Sequence, residues 1–319
     1  MVFLLIFILA VVGFLFYFRQ RIESPNNSDV AVEAVSGTRG EFVIADGQSA
    51  SQVSHNLVSH GFIDSSWSFQ LYLKFKKLTI KSGDYLLPTT LNQIQIAEIL
   101  SDGSHQVKWI TIKDGWRREQ VAAYLSKNLN ISSEEFLAKS TNLEGKLFPD
   151  TYKLSDEPTV DEAISKMTEN YQAKTDGLSV TEGDLALASI IQKEAGPVAD
   201  MPEIAAVFNN RIKIAMKLQS DVTSIYQKDT DNWQSVGLLN YKFWQPASGD
   251  TTKYPGPYNT YSQAGLPPTP ICTPSLAAIN SVLHPGTNSY LFFLYGKDGK
   301  IYFAKTQAEQ TANINKYLY

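Results

Sequence analysis

The stretch Thr181–Gly196, T-E-G-D-L-A-L-A-S-I-I-Q-K-E-A-G, has a helix start signal, an apolar face with helical spacing and a helix stop signal. Thr181 and Asp184 have the spacing of an N-terminal cap, in which a hydroxyl and a carboxylate satisfy the first free backbone N–H groups. Gly196 at the end of the stretch and Pro197 directly after it are a stop signal for a helix. The sequence therefore predicts a helix between these two limits, and the rest of the chain is organised around it.

One face of this helix is apolar except at its end. Leu187, Ile190, Ile191 and Glu194 follow one another at spacings i, i+3, i+4 and i+7, which places them on the same side. The three apolar side chains are expected to face the core. Glu194 is then carried to the core-facing side at the last turn.

A carboxyl group in that position has two interpretations. Partial removal from water favours the neutral acid, so the pKa of Glu194 is expected to rise, and a protonated acid near neutral pH is what cleavage of a glycosidic bond requires. The alternative is a structural Glu194 that pairs with a nearby Lys or Arg at the end of the helix. Periodicity alone does not separate the two.

The composition is that of a folded protein with room for two domains. The chain has 319 residues, 43% of them hydrophobic and 19% charged. Its net charge of -4 argues against a polyanion as the main partner, so nucleic acid is excluded as an expected ligand. The pattern of helices and short strands along the chain predicts the α+β class.

Cysteine and histidine usage points away from metal chemistry. Cys272 is the single cysteine, so an internal disulfide is impossible. The four histidines are scattered and form no zinc-binding spacing with it. The sequence therefore favours a mechanism without a metal or another cofactor.

The N-terminus has the composition of a membrane anchor. Residues 1–18 are almost wholly apolar and reach the lower length limit of a membrane-spanning helix. A cleaved signal peptide is disfavoured, because a basic start and an A-x-A site are both missing. Residues 19–40 then predict a linker, although Arg19 and Arg21 in it would prefer the cytoplasmic side.

A unit of strand, Asp-Gly turn and short helix occurs twice, as F-V-I-A-D-G-Q-S-A-S-Q-V at 42–53 and I-T-I-K-D-G-W-R-R-E-Q-V at 110–121. The spacing resembles LysM-like modules, which bind glycans rich in N-acetylglucosamine. A small α/β unit without a sugar role fits the spacing nearly as well. Residues 41–107 are assigned to this LysM-like subdomain, and 108–150 to a small strand–helix unit that leads into a larger α+β domain at 108–319.

Further elements follow from the same periodicities. Helices are predicted at 67–75, 92–100, 159–171, 275–283 and 309–317, strands at 42–44 and 109–112, a hairpin from 290–295 and 300–304, and a long loop or β-excursion over 234–256.

Two charged residues after the Glu194 helix, Arg211 and Asp221, are candidates for a role near Glu194. The next helix is expected to be capped by Asp200, and Arg211 lies beside its apolar stripe. A guanidinium in that position pairs with a carboxylate, such as Glu194 or Asp221, or with backbone carbonyls. Asp221 could orient a substrate hydroxyl, cap a helix that starts at Val222, or pair with Arg211.

Four strings, in order, resemble one known family. They are L-E-G-K-L-F-P-D-T-Y at 143–152, L-A-S-I-I-Q-K-E-A at 187–195, V-F-N-N-R-I-K-I-A-M-K-L-Q-S-D-V-T-S-I-Y at 207–226, and Y-N-T-Y-S-Q-A-G-L-P-P-T-P-I at 258–271. Together they resemble the YceG-like (MltG-type) endolytic murein transglycosylases, from about Glu41 to the C-terminus.

The resemblance implies a single-pass bacterial protein of the cytoplasmic membrane with its catalytic domain on the outer side. It implies peptidoglycan glycan strands as substrate and Glu194 as the catalytic residue. The implied reaction cleaves the β-1,4 bond between N-acetylmuramic acid and N-acetylglucosamine and leaves a 1,6-anhydromuramoyl end. Coupling to cell-wall synthases is also implied.

Substrate-contacting residues are predicted from the same strings and from the rigid, proline-rich loop that carries the last one. The predicted cleft-lining residues are Arg211, Gln219, Asp221, Tyr226, Tyr258, Asn259 and Tyr261. Two departures from the family are visible: Val222 stands where a proline is usual, and Gln310 where a histidine often follows Glu309.

Two other functions remain open at this stage. A lysozyme-like hydrolase would need a second carboxylate, which Asp221 could supply. A membrane-anchored protein that binds peptidoglycan without cutting it would need only the repeated N-terminal units.

Overall fold

The computed structural model describes residues 39–88, 90–245 and 251–319, together with Gly13. Within these residues the chain has the predicted α+β composition, with eleven α-helices and three two-stranded sheets. Apart from Gly13, the predicted anchor at 1–18 lies outside the described residues, as does the predicted linker up to residue 38. None of the described helices has the length and apolarity needed to cross a membrane.

The helices are α1 (Ala50–Ser59), α2 (Ser66–Lys76), α3 (Gln93–Asp102), α4 (Arg118–Leu129), α5 (Ser133–Lys139), α6 (Val160–Thr175), α7 (Glu182–Glu194), α8 (Met201–Lys213), α9 (Asp221–Val236), α10 (Leu276–Leu283) and α11 (Gln307–Tyr317). The strands are β1 (Arg39–Ile44), β2 (Gly83–Pro88), β3 (Lys108–Thr111), β4 (Thr151–Leu154), β5 (Phe292–Tyr295) and β6 (Ile301–Ala304). Antiparallel pairing joins β1 to β2 and β5 to β6, and β3 is the neighbour of β4.

The chain divides into two compact units. The N-terminal unit ends at Trp109 and also contains Lys153–Glu157. Its core is formed by one face of the β1–β2 sheet, where Phe42 pairs with Tyr85, and by the buried sides of α1, α2 and α3. Alternation of buried and exposed residues along the short strands explains how a two-stranded sheet can seal one side of this core.

The C-terminal unit comprises Ile110–Tyr152 and Pro158–Tyr319. Its core is built around α7, whose residues from 185 to 191 are all buried, and α8 and α10 pack against that helix. Phe148 from the L-E-G-K-L-F-P turn joins the same core. Gly145 in that turn has a φ of +84°, and a Cβ there would lie 2.8 Å from the Pro270 ring, so only glycine fits.

Several local predictions differ from the structure. The short helix α5 and the strand β4 were not predicted, and α9 continues to Val236, into the range expected to be a loop or β-excursion. Asp200 does not cap α8, because its carboxylate accepts from the Tyr295 hydroxyl instead. The helix after it begins at Asp221 itself, with Ser220 in the N-cap position.

Candidate active site

Glu194 is the last residue of α7, as the sequence predicts, and it is half-buried. The helix starts with a complete capping box between Thr181 and Asp184, so its register is fixed from the first turn. It ends because Ala195 turns to an extended conformation, and the Gly196 N–H donates to the Tyr295 hydroxyl at 2.9 Å. Hydrogen bonds therefore fix both ends of α7, and they also fix the position of the Glu194 carboxyl group at its last residue.

The hydrogen-bond partner of Glu194 is a buried serine. The Ser220 hydroxyl donates to Glu194 Oε1 at 2.5 Å. Ser220 is itself held in place, because its N–H donates to the Thr260 hydroxyl at 3.0 Å, and that hydroxyl lies 2.9 Å from the Thr223 hydroxyl. A neutral donor rather than a Lys or Arg thus faces the acid, which disfavours the ion-pair interpretation of this glutamate.

Burial raises the pKa of Glu194 above the ordinary value of a glutamate. The hydrogen bond from Ser220 acts in the opposite direction because it stabilises the carboxylate. The negative charge of Asp221 adds to the rise, while the positive charge of Arg211 opposes it. The net effect is a larger protonated fraction near neutral pH, together with one fixed hydrogen bond that supports the ionised form.

A second carboxylate, Asp221, lies at the first turn of α9 beside this acid. The Tyr261 hydroxyl donates to Asp221 Oδ1 at 2.7 Å, and burial and this carboxylate both raise the pKa of Tyr261. Tyr261 therefore stays neutral and fixes the orientation of an exposed carboxylate. Among the residues that the structure describes, no group of three or more His, Cys, Asp or Glu side chains is arranged to hold a metal.

Arg211 binds backbone carbonyls rather than a carboxylate. Its Nε donates to the Leu291 carbonyl and its Nη1 to the Leu218 carbonyl, each at 2.5 Å, and the guanidinium lies over the Phe292 ring. The residue is buried, and burial lowers its pKa. Arg211 thus ties the segment before Ser220 to the strand region near residue 291, and its charge acts on Glu194 without direct contact.

A sequence profile of the YceG-like family matches residues 42–316, which is most of the chain and includes every residue of this site. The chain belongs to the YceG-like family. The match begins within β1 and ends within α11.

Curated relatives of this YceG-like chain carry a common name. It is similar to the endolytic murein transglycosylase of Bacillus subtilis, with 29% identity over 97% of this chain and 91% of that protein. It is also similar to the endolytic murein transglycosylase of Streptococcus pneumoniae, with 26% identity over 86% of this chain and 58% of that protein. A crystal structure of a yceG-like protein from Listeria monocytogenes matches with a TM-score of 0.54 and 26% identity, over 87% of this chain and 99% of that one.

Two further predicted cleft residues of this YceG-like chain lie near the same elements. Gln219 is exposed, and its backbone has a φ of +50°. Its backbone N–H donates to the Thr260 carbonyl. The Tyr258 hydroxyl lies 2.7 Å from the Thr269 hydroxyl, and its ring packs 4.7 Å from that of Tyr226. Gln219 is available to a ligand, and Tyr258 is half-buried.

The structure buries the remaining two predicted cleft residues. Asn259 has no exposed surface: its Oδ1 accepts from the Ser224 hydroxyl, and its Nδ2 donates to the Thr252 and Tyr254 carbonyls. Tyr226 is only 6% exposed and packs in the core. Both polar side chains satisfy their hydrogen bonds inside the protein, so they position the loop and α9 rather than line the cleft.

A buried ionic cluster that the sequence did not suggest packs against α9. Arg117 is fully buried, with its Nε 3.0 Å from Glu119 Oε2 and its guanidinium stacked 4.0 Å over the Tyr226 ring. Its Nη2 donates to the Thr230 hydroxyl at 2.7 Å. Glu144 is also buried, and burial together with the Glu119 charge raises its pKa to about 8. The cluster attaches α9 to the start of α4.

Sequence reasoning missed three residues of the site: Ser220, Thr260 and Tyr295. Ser220 lies inside the quoted string at 207–226, directly precedes the predicted Asp221 and has the residue type of an N-cap. Thr260 lies inside the quoted Y-N-T-Y string without being selected. Tyr295 belongs to the predicted hairpin, and its contact with the end of α7 joins residues about a hundred positions apart, which no local pattern reveals.

Proposed function

We propose that this YceG-like protein is a lytic transglycosylase that cleaves the glycan strands of bacterial peptidoglycan. The observation that supports this most is the Glu194 carboxyl group, which is half-buried at the end of a fixed helix, has a raised pKa and accepts a hydrogen bond from the Ser220 hydroxyl. The name shared by its relatives from Bacillus subtilis and Streptococcus pneumoniae supports the same activity. The protein is an enzyme of the lyase type that acts on a polysaccharide.

The proposed reaction uses one carboxyl group twice. Protonated Glu194 donates its proton to the glycosidic oxygen as the bond from that oxygen to muramoyl C1 breaks. The resulting carboxylate accepts the proton of the muramoyl C6 hydroxyl while the C6 oxygen forms a new bond to C1. Acid and base are restored, a 1,6-anhydromuramoyl end is produced, and no water is consumed.

The surroundings of Glu194 suit both halves of this cycle. Burial and the negative charge of Asp221 favour the protonated acid before the bond breaks. The hydrogen bond from Ser220 then stabilises the carboxylate that remains. Asp221, oriented by Tyr261, adds a negative charge near Glu194, which would stabilise the positive charge that develops on the sugar ring.

The direct test is a Glu194→Gln variant acting on purified peptidoglycan strands. Because the amide cannot supply a proton, we expect cleavage to fall by at least about 1,000-fold while binding of the strands is retained. An exposed residue of the same type on α6 provides the control, and a Glu169→Gln variant should cut at the wild-type rate. Wild-type cleavage by Glu194→Gln would contradict the assignment.

A hydrolase is the second candidate, and Asp221 is the observation that favours it, since a carboxylate beside the acid could activate water. Its Oδ1 is occupied by the Tyr261 hydroxyl, which disfavours a role as the base. A binding protein without activity would retain strand binding in every Glu194 variant and show no cleavage in the wild type.

The proposed location is the outer side of the bacterial cytoplasmic membrane, with residues 1–18 as a single-pass anchor and residues 41–107 as a LysM-like subdomain that binds glycan. The apolar composition of the first eighteen residues and the repeated strand–turn–helix sequence support these two assignments. Cell-wall synthases are the proposed protein partners.

A further inference from the structure

The C-terminal unit has an open groove between α4 and the segment that follows α9. Its volume is about 310 Å³. Aromatic, aliphatic and polar side chains from both sides line it, principally Trp116, Gln120, Leu238, Tyr241, Lys242 and Phe243. None of these residues belongs to the predicted site around Glu194.

The aromatic walls of the groove are fixed before any ligand arrives. The Trp116 carbonyl accepts from the Thr273 N–H at 2.7 Å, and its ring meets the Tyr124 ring edge-on with the centroids 5.2 Å apart. On the opposite wall the Tyr241 hydroxyl donates to Asp229, and its ring packs 4.8 Å from that of Phe243. Rigid aromatic faces of this kind suit the apolar face of a sugar ring, because little freedom is lost on binding.

Polar donors accompany the aromatic walls. Gln120 Oε1 accepts from the Arg117 N–H and from the Trp244 indole N–H, so the amide is oriented. Its Nε2 has no acceptor within the described residues. Lys242 is exposed, and no described carboxylate pairs with its ammonium group. The groove therefore presents an amide donor and a positive charge beside aromatic surface.

The groove is linked to the acid by a short series of contacts. Lys193, the neighbour of Glu194 in α7, places its ammonium 4.2 Å from the centre of the Trp244 ring. That indole donates to Gln120, which lines the groove. A Cβ on Gly115, beside Trp116, would lie 3.2 Å from the Lys193 side chain. The groove and the end of α7 are thus parts of one packed region.

We propose that this groove is a second glycan subsite, in which an N-acetylated amino sugar bearing a carboxylate stacks between Trp116 and Tyr241. Gln120 donates to the acetyl carbonyl, and Lys242 pairs with the carboxylate. The subsite rests on the proposed function for its polymer: it holds the strand at sugars away from the bond that Glu194 cleaves. An enzyme that cuts inside a strand gains binding energy in this way from units that do not react.

Binding is measured directly with peptide-free glycan strands, which keep the lactyl carboxylate of each muramic acid, in a full-length Glu194→Gln background that does not cut them. We expect Trp116→Ala to weaken the Kd about tenfold, and Trp116→Phe to weaken it less. Lys242→Glu, an exposed change that leaves the fold intact, should weaken binding of these strands by about tenfold or more. It should have little effect on chitooligosaccharides of equal length, which lack carboxylates. Lys166→Glu, on the exposed side of α6, is the matched control and should leave both Kd values unchanged.

With Glu194 intact, the same substitutions should raise KM while leaving kcat nearly unchanged, because the chemistry takes place elsewhere. Wild-type Kd values for both Trp116→Ala and Lys242→Glu would overturn the subsite, even if Glu194→Gln abolishes cleavage as proposed. Equal weakening of both glycans by Lys242→Glu would overturn recognition of a carboxylate. Normal cleavage by Glu194→Gln would instead remove the proposed acid and leave the binding result standing.

Discussion

At the scale of single residues, the behaviour of Glu194 depends on opposing influences from its neighbours. Burial and the Asp221 charge raise its pKa, while Ser220 and Arg211 lower it. An acid that gives and then recovers a proton, as proposed for Glu194, needs such a balance, since extreme stabilisation of either form would slow one half of the cycle. Ser220 is the neighbour in direct contact, so it offers the clearest way to shift the balance.

Replacing Ser220 by alanine should move the pH dependence in a defined direction. The lost hydrogen bond supports the carboxylate, so its removal raises the pKa of Glu194 further. Activity that requires the protonated acid is lost above this pKa, and the alkaline limb of the kcat/KM profile should therefore move to higher pH. We also expect kcat to fall about tenfold, because the carboxylate formed after proton donation loses its donor.

Ser220→Thr keeps the hydroxyl and should restore both the rate and the position of the alkaline limb. If Ser220→Ala lowers the rate without moving that limb, the serine has only a structural role. A shift of the limb to lower pH would contradict the proposed hydrogen bond to the carboxylate.

Glu144 is expected to make stability depend on pH. Its pKa in the folded protein is raised to about 8 by burial and by Glu119, whereas an unfolded glutamate titrates near about 4.3. Between these values the folded protein holds a proton that the unfolded chain has released, so the free energy of unfolding falls as pH rises through this window. Glu144→Gln should flatten that slope and gain stability relative to the wild type at pH 8, measured by urea unfolding at pH 5.5 and pH 8. An unchanged slope would contradict the raised pKa.

At the scale of secondary structure elements, the position of α9 matters because its N-terminus carries both Ser220 and Asp221. The Arg117 guanidinium contacts that helix at three points: it donates to the Thr230 hydroxyl and to the Tyr226 carbonyl, and it lies over the Tyr226 ring. The guanidinium is fully buried, and Glu119 at 3.0 Å balances its charge. Loss of one partner from a buried ion pair leaves the other charge without compensation.

Arg117→Ala should therefore lower the free energy of unfolding by about 3 to 5 kcal/mol. Chemical denaturation of the purified protein measures this directly. Lys139→Ala provides the contrast, because Lys139 forms exposed ion pairs with Glu135 and Asp161 and its loss should have a much smaller effect. Similar losses in the two variants would contradict a structural role for the buried cluster.

The elements that the sequence predicted best have both a cap and a periodic face. Helix α7 has a Thr181–Asp184 capping box and an apolar stripe, and the structure follows both. By contrast, α5 has seven residues and buries only Phe136, so it has no periodic face to detect. Strand β4 has four residues, and its neighbour β3 lies about forty positions earlier, beyond any local pattern.

At the scale of the whole molecule, the sequence placed Glu194 at the end of its helix, but the side chains around it became visible only in the structure. The sequence could place Glu194 at the end of the apolar face because helical spacing involves only residues within about seven positions of one another. The Ser220 contact spans 26 residues, and the Arg211 contact with Leu291 spans 80, so both depend on tertiary packing. Asn259 was predicted to line the cleft because it is polar, yet its hydrogen bonds are satisfied internally.

The proposed anchor leads to a prediction about location. Deleting residues 1–38 should release the protein from the membrane fraction to the soluble fraction, because the apolar run is the proposed attachment. The released protein should still cut purified strands, since the proposed acid and its neighbours all lie beyond residue 110. Fractionation followed by digestion measures both. A truncated protein that stays with the membrane would contradict the proposed attachment.

The central claim is that Glu194 cleaves the glycan by passing one proton out and taking one back, with no water in the reaction. Digestion of peptidoglycan strands in ¹⁸O-labelled water, followed by mass analysis of the products, tests it most directly. The account predicts anhydro ends that carry no label. Products heavier by one water and carrying ¹⁸O at the new end would show hydrolysis and contradict it.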